Sequence, residues 1–162
     1  MKITNSELIA LHQTLIALSR QKLPFNVTLA KNLQRVEKLV NDYSDVRTTL
    51  VERFAKTDEE GKLLGVEKTT KDEENNVIVE RIKEPQMIED IEWNDKDKFI
   101  EELEAINKEE VLIGLETIDA KKSFYHMEHK REFTIEEYLN SGMEPGMILY
   151  LEKIGMLTGL DL

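Results

Sequence analysis

Seven apolar residues recur at heptad spacing between positions 29 and 54: Leu29, Leu33, Val36, Val40, Tyr43, Leu50 and Phe54, interrupted only by Arg47. Steps of three and four residues place side chains on one side of an α-helix, so the run predicts a helix of nearly four heptads, about 40 Å long at 1.5 Å per residue. The positions between them are mostly charged or polar. Such a helix has one apolar stripe that must be covered and one face that stays in water.

The segment before it supplies a cover. Thr4 and Glu7 have the spacing of a capping box, in which each side chain satisfies a backbone N–H of the first helical turn. Leu8, Leu11, Leu15 and Leu18 then share one helical face. Pro24 restricts Leu23 and stops this helix. Phe25, Asn26 and Val27 form a short, extended connection, with Thr28 as N-cap of the long helix. The expectation is an antiparallel α-hairpin over residues 4–22 and 28–56. The first helix is the shorter, so Tyr43, Leu50 and Phe54 extend beyond its reach and need the later sheet or another chain to cover them. The seam thus has two readings, an intramolecular hairpin or one that also recruits a second copy or a partner helix.

The pattern then changes. Residues 57–93 carry KLLGVEKTT and NVIVERI on either side of KDEENN. The second segment is rich in β-branched residues, and Asn75-Asn76 suits a turn, which predicts a projecting β-hairpin with a charged tip. Asp72, Glu73 and Glu74 at that tip are expected to be exposed and mobile. Asn94 and Asp97, as N-cap and third position, open a helix bearing Phe99, Ile100, Leu103 and Ile106. Residues 111–118 (VLIGLETI) read as one strand and residues 120–132 as irregular. Thr134 and Glu137 form a second capping box ahead of a short helix that Gly142 caps. Pro145 opens a last helix, which ends at Gly155. The fold class is α+β: an N-terminal antiparallel α-hairpin, then a small antiparallel sheet or β-hairpin and short C-terminal helices. The chain of 162 residues is read as a single domain, 1–162, with segments 1–56, 57–93 and 94–162.

Charge is unevenly distributed. The formal net charge is −11. Residues 1–56 hold nine Lys/Arg against five Asp/Glu, whereas residues 57–110 hold eight against nineteen. An acidic field opposes nonspecific binding to DNA and to anionic membranes, so neither nucleic acid nor membrane is an expected partner. Arg20, Lys22, Lys31, Arg35 and Lys38 are read as facing the acidic remainder of the chain. There is no cysteine, which removes disulfides, thiolate nucleophiles and cysteine-ligated metals. No apolar run approaches the roughly 18 residues of a membrane span, and the N-terminal segment lacks a signal-peptide core. The expected location is the cytoplasm.

No residue set points to a reaction. Glycine-rich phosphate loops, nucleophile elbows and HExxH-type patterns are missing from the sequence. His126 and His129 share a helical spacing but supply only two of the three or four ligands a metal needs. The acidic runs Asp58-Glu59-Glu60-Gly61 and Asp72-Glu73-Glu74-Asn75-Asn76 lack the ligand spacing of a calcium loop. His12 is read as packing or surface. The expectation is a protein without catalytic, cofactor or metal residues, working through protein contacts. Candidate contact residues are Tyr43, Leu50 and Phe54 on the seam and Asp72, Glu73 and Glu74 at the tip. The partner is another protein or a second copy as a homodimer.

The opening MKITNSEL, the helix ending at Leu23-Pro24 and the long helix running into ERFAKTDEEGKL stand together with the strand EEVLIGLETID and the ending MEPGMILYLEKIGML. This layout resembles small proteins of tailed phages and prophages of Gram-positive bacteria, grouped as domain-of-unknown-function family 1617. The resemblance covers nearly the whole chain. It departs at KKSFYHMEHKREF, which has the character of an insertion. The resemblance implies a setting and no chemistry: a phage product acting in the infected cytoplasm or in virion assembly. Two functions follow as expectations, a tail-associated structural or assembly protein and an inhibitor of a host protein acting by occlusion or charge mimicry.

Overall fold

The structure, a computed structural model, describes residues 1–160. These form two compact units, one from Met1–Asn41 with the chain from Glu109 onward, the other from Asp42–Lys108. The fold is α+β, with N-terminal helices, two-stranded ladders and short C-terminal helices.

In the first unit, strand β1 (Lys2–Thr4) leads directly into helix α1 (Asn5–Ser19). The Thr4–Glu7 capping box forms as the sequence predicts. Leu8, Leu11, Leu15 and Leu18 all lie on the buried face. Helix α2 (Asn26–Phe54) begins two residues earlier than Thr28. Its first turn is closed by Leu29 N–H donating to the Phe25 carbonyl (3.0 Å), which makes the connection a tight turn and leaves Thr28 no capping role. Residues 26–41 of α2 bury Leu29 and Val36 against α1, with Leu33, Leu39 and Val40 packed beside them. Asn32 lies on the same stripe and is also fully buried.

Strand β4 (Glu110–Leu112) pairs antiparallel with β1, placing Ile3 opposite Val111. The strand expected over residues 111–118 is broken. It ends at Leu112 and resumes as β5 (Ile118–Asp119). Between them the chain is bound by side chains of α2. Asn32 Nδ2 donates to the Glu116 carbonyl (2.9 Å), and Asn32 Oδ1 accepts from Glu116 N–H (2.7 Å). Arg35 donates to the Gly114 carbonyl (3.1 Å) and to the Glu116 carboxylate (3.0 Å). A single amide side chain thus satisfies both backbone polar groups of one residue, as a neighbouring strand would. Residues 120–132 also differ from expectation. Strands β6 (Ser123–His126) and β7 (Arg131–Thr134) form an antiparallel hairpin with Phe124 opposite Phe133. The second capping box, Thr134 with Glu137, opens α4 (Ile135–Gly142). Gly142 is the last helical residue of α4, and Met143 takes the C-cap position. Pro145 starts α5 (Pro145–Lys153), and Gly155 turns the chain at φ +71°. Strand β8 (Leu157–Thr158) then runs parallel to β5, an addition to the antiparallel ladders read from sequence.

In the second unit, residues 42–54 of α2 meet helix α3 (Lys96–Lys108). Phe99, Leu103 and Ile106 fall on one face of α3 and cover Leu50 and Phe54, with Val51, Ile88 and Trp93 closing the cluster. Trp93 stacks on Phe99 at 4.3 Å between ring centroids, and its indole N–H reaches the Ile88 carbonyl (3.0 Å). The N-terminus of α3 is capped by Asp95, whose carboxylate accepts from Lys98 N–H (3.0 Å). Asn94, expected in that role, instead donates to the Ala55 carbonyl (3.0 Å). Strands β2 (Glu67–Lys71) and β3 (Val77–Arg81) form the expected hairpin. No helix among the described residues is long and apolar enough to cross a membrane.

Candidate protein interface

Among the described residues, β2 and β3 are the strands with no covered position. All five residues of each strand are exposed. Among them Val77, Ile78 and Val79 stand at 64%, 38% and 56% of full exposure, three adjacent β-branched residues with nothing packed over them. The register sets Lys71 opposite Val77, Thr69 opposite Val79 and Glu67 opposite Arg81 on one face, with Thr70 opposite Ile78 and Lys68 opposite Glu80 on the other.

The hairpin is fixed at both ends. At its base Arg81 donates to the Gly65 carbonyl (2.9 Å), to Glu67 Oε1 (2.8 Å) and to the Glu92 carboxylate. Glu92 also accepts from Lys56 (2.7 Å), and hydrogen bonds from Lys56 and then Arg81 hold its carboxyl below the usual glutamate range. Gly65 permits the close approach of the two chains. A Cβ there would lie 2.1 Å from the Ile82 carbonyl oxygen.

At the tip, Asp72 is a turn residue. Its Oδ1 accepts from the N–H groups of Glu74 (3.0 Å) and Asn76 (2.8 Å), and Oδ2 accepts from the Asn76 side chain (3.1 Å). These bonds, led by that from the Asn76 side chain, lower its carboxyl below the ordinary aspartate value of 3.8. The expectation that Asp72 is a free, mobile acid is therefore corrected. It is half-buried, and only Glu73 and Glu74 stand fully outward. Asp58 builds the same turn, accepting from Glu60 N–H and Lys62 N–H (2.9 Å each). In both turns the third residue after the aspartate has positive φ, Gly61 at +80° and Asn75 at +66°. The two acidic runs are one local motif, Asp-Glu-Glu followed by Gly or Asn, in which an Asx-type turn needs a left-handed residue. That pattern was present in the sequence and identifies both runs as turns.

The seam residues fall elsewhere. Leu50 and Phe54 are 6% and 7% exposed, inside the cluster around Phe99. Tyr43 is half-buried, and its hydroxyl donates to Asn107 Oδ1 (2.6 Å). The uncovered end on which a docking role for these three residues rested is covered by this chain's own α3. Of the candidate contact residues, the structure keeps Asp72, Glu73 and Glu74 together at the hairpin tip. Sequence reasoning passed over Val77, Ile78 and Val79, whose β-branched run was read only as strand propensity.

A second cluster lies in the first unit. The rings of His126 and His129 are 4.6 Å apart and belong to a group with Phe124, Phe133 and Tyr138. A cleft of about 310 Å³ opens beside it, lined in part by Lys22, Glu128 and Met143. Tyr138 donates from its hydroxyl to the Lys22 carbonyl (3.3 Å), and the Arg131 guanidinium sits 3.8 Å over Phe133. His126 Nδ1 accepts from His129 N–H (3.4 Å), so one imidazole nitrogen is already engaged. Among the described residues no three His, Cys, Asp or Glu side chains are grouped to hold a metal ion. The rings pack on one another, some face to face and some edge to face, and the cluster is the small core of hairpin β6–β7.

No known protein family, curated protein or solved structure matches this chain.

Proposed function

We propose that this protein works by binding another protein, without chemistry of its own, and that hairpin β2–β3 is its contact element. One observation carries the reading: a hairpin pinned by the Arg81–Glu92–Lys56 network and a built turn presents Val77, Ile78 and Val79 uncovered. Three uncovered apolar residues in succession along one strand are what a recognition element looks like and what solubility alone selects against. The resemblance of the sequence layout to phage and prophage proteins supports the setting, a phage accessory protein of structural or assembly type associated with the tail. A second reading, an inhibitor of a host protein acting by occlusion, is favoured by the acidity of the unit that bears the hairpin. Residues 42–108 hold twenty Asp/Glu against eleven Lys/Arg.

A photo-crosslinking amino acid at position 78 tests the contact in phage-producing cells, with position 149, an exposed leucine of α5, as control. The reading expects a discrete protein adduct from position 78 only. Equal yields at both positions, or none, refute it. Mass spectrometry of purified virions separates the two settings: stoichiometric copies support the assembly role, and absence supports the host-directed one.

A further inference from the structure

The geometry points to the open edge of β3 as a strand-addition site for an extended, basic segment of a partner protein. This rests on the hairpin being the contact element and specifies how it makes contact.

The backbone supplies the first argument. In an antiparallel pair, alternate residues direct their N–H and C=O toward the partner strand and the others direct them outward. Two bonds fix the phase here. Asp72 N–H donates to the Asn76 carbonyl (3.0 Å) at the turn, and Ile82 N–H donates to the Val66 carbonyl (3.1 Å) at the base. Ile78 and Glu80 are in phase with those pairs and bond to β2. Val77, Val79 and Arg81 are out of phase, so their N–H and C=O groups face away from β2. Among the described residues β3 pairs with β2 alone. Each of these residues therefore offers a donor and an acceptor at the spacing that an added strand uses.

The two edges of the hairpin are not equivalent. Strand β2 is Glu-Lys-Thr-Thr-Lys, and its lysines are the residues that guard a sheet edge against pairing. Strand β3 has no charge over Val77, Ile78 and Val79. Its side chains present Val77 and Val79 on one face and Ile78 on the other, so an added strand finds apolar neighbours on both sides.

Charge selects the occupant. The cations at the hairpin base are already engaged, Arg81 with Glu67 and Glu92, Lys56 with Glu92 and Lys68 with Asp90 (3.5 Å). Glu73, Glu74, Glu80 and Glu84 have no ion-pair partner among the described residues, against Lys71 and Lys83 on the other side of the balance. With the net negative charge of residues 42–108, the edge is acidic at both ends. A second copy would bring the same acids together. A segment with β-branched residues between lysines or arginines would be attracted.

The probe is a synthetic acetylated peptide of alternating lysine and valine, titrated into the intact protein and followed by amide NMR shifts. Three comparison peptides accompany it: one with valine N-methylated, one with glutamate replacing lysine and one unrelated basic peptide without valine. The expected result is saturable binding with shifts at Val77, Val79 and Arg81. Affinity should fall by about tenfold or more on N-methylation, on exchange of lysine for glutamate and for the valine-free peptide. Val79→Lys should lose binding to a similar degree, and Val79→Pro should do so because it removes an outward N–H while sparing the ladder to β2. Leu149→Lys, at the exposed control position on α5, should bind as the wild type does. Equal binding of the N-methylated peptide overturns strand addition, and equal binding of the acidic peptide overturns the basic partner. A protein that is dimeric in solution and becomes monomeric on Val79→Lys also overturns it, in favour of self-pairing. A position-78 crosslink that persists while the peptides fail sinks this mode of contact alone. Loss of that crosslink sinks the contact element itself.

Discussion

Replacing Asn32 by leucine removes the one side chain that substitutes for a strand partner at Glu116. Leucine keeps the Cγ branch and the four side-chain heavy atoms of asparagine, but its methyl groups are bulkier than the amide, so crowding in the stripe between Leu29 and Val36 adds to the loss. What it removes is both backbone partners of one residue, the donor to the Glu116 carbonyl (2.9 Å) and the acceptor of its N–H (2.7 Å). Each buried backbone group left without a partner costs about 1–3 kcal/mol, or roughly 2–6 for the two. The apolar surface that leucine adds in a fully buried position offsets about 1–2 of that. A net loss of about 2–4 kcal/mol follows. Relaxation cannot easily recover it, because Arg35 and Lys31 still hold the Glu116 carboxylate (3.0 and 3.4 Å) and keep the segment against α2. With a urea slope of about 2 kcal/mol per molar, the midpoint should fall by about 1–2 M. The assay must resolve the two units. Trp93 is the single tryptophan and reports on residues 42–108, so fluorescence alone is insufficient. Hydrogen exchange read by mass spectrometry over residues 110–120 follows the affected ladder directly. Asn32→Asp should be worse, since it keeps the acceptor, loses the donor and buries a carboxylate. A leucine variant within about 0.5 kcal/mol of wild type, with the Glu116 amide still protected, would falsify the claim that this side chain holds the segment.

Other outcomes follow from the same geometry. Gly65→Ala should destabilise the hairpin base by about 1–3 kcal/mol, seen as faster amide exchange at Ile82, because its Cβ would meet the Ile82 carbonyl oxygen at 2.1 Å; unchanged exchange would contradict this. His12→Leu should stabilise the protein by about 1 kcal/mol in thermal melts, since Nε2 is buried with no hydrogen-bond partner and Glu37 at 4.0 Å is too distant to be one. A lower melting temperature would show that the imidazole is better satisfied than its geometry indicates. The carboxyl of Asp72 is lowered in the folded hairpin, so its contribution is present above the ordinary aspartate value of 3.8 and is lost as the pH falls below it. The amides of Glu74 and Asn76 should lose their downfield shifts on acidification through that range and in Asp72→Ala at neutral pH. Glu73→Gln should leave them unchanged.

The parts of this fold that were legible in sequence are those fixed by neighbours in the chain. Both capping boxes were, because Thr4 with Glu7 and Thr134 with Glu137 satisfy backbone donors within one turn. The hairpin was placed by Asn75 and by the β-branched run that follows it. What was missed depends on contacts between distant residues. The strand over 111–118 was read as continuous because its composition suits a strand throughout. Its middle takes hydrogen bonds from residues 32 and 35, and a side chain playing the part of a strand leaves no periodic signal. Strands β6 and β7 are four residues each among charges, too short for alternation to stand out; their pairing of Phe124 with Phe133 is what stabilises them. The open end of the heptad seam was a correct reading of α1 and α2 by themselves. Phe99 and Leu103, which close it, were visible as one helical face, but no local rule says which stripe a face will cover. Of the candidate interface, the tip acids were legible from composition and the free edge was not, since an edge is defined by what fails to pair with it.

The bond between Asn32 and Glu116 spans 84 positions, and that sets an order for the birth of the molecule. A chain made at about 5–20 residues per second needs roughly 4–17 s to pass from one to the other. During that interval Leu8, Leu11, Leu15 and Leu18 have emerged, but Ile113, Ile118, Leu139 and Leu151, which complete their core, have not. Residues 42–108 are contiguous, and Leu50, Phe54 and Phe99 are all present before the first partner of the N-terminal helices arrives. The region made first is thus finished last. Until residue 116 has been made, helix α2 alone covers the leucine stripe of α1, and a chain released before then leaves the rest of that stripe open to chaperones.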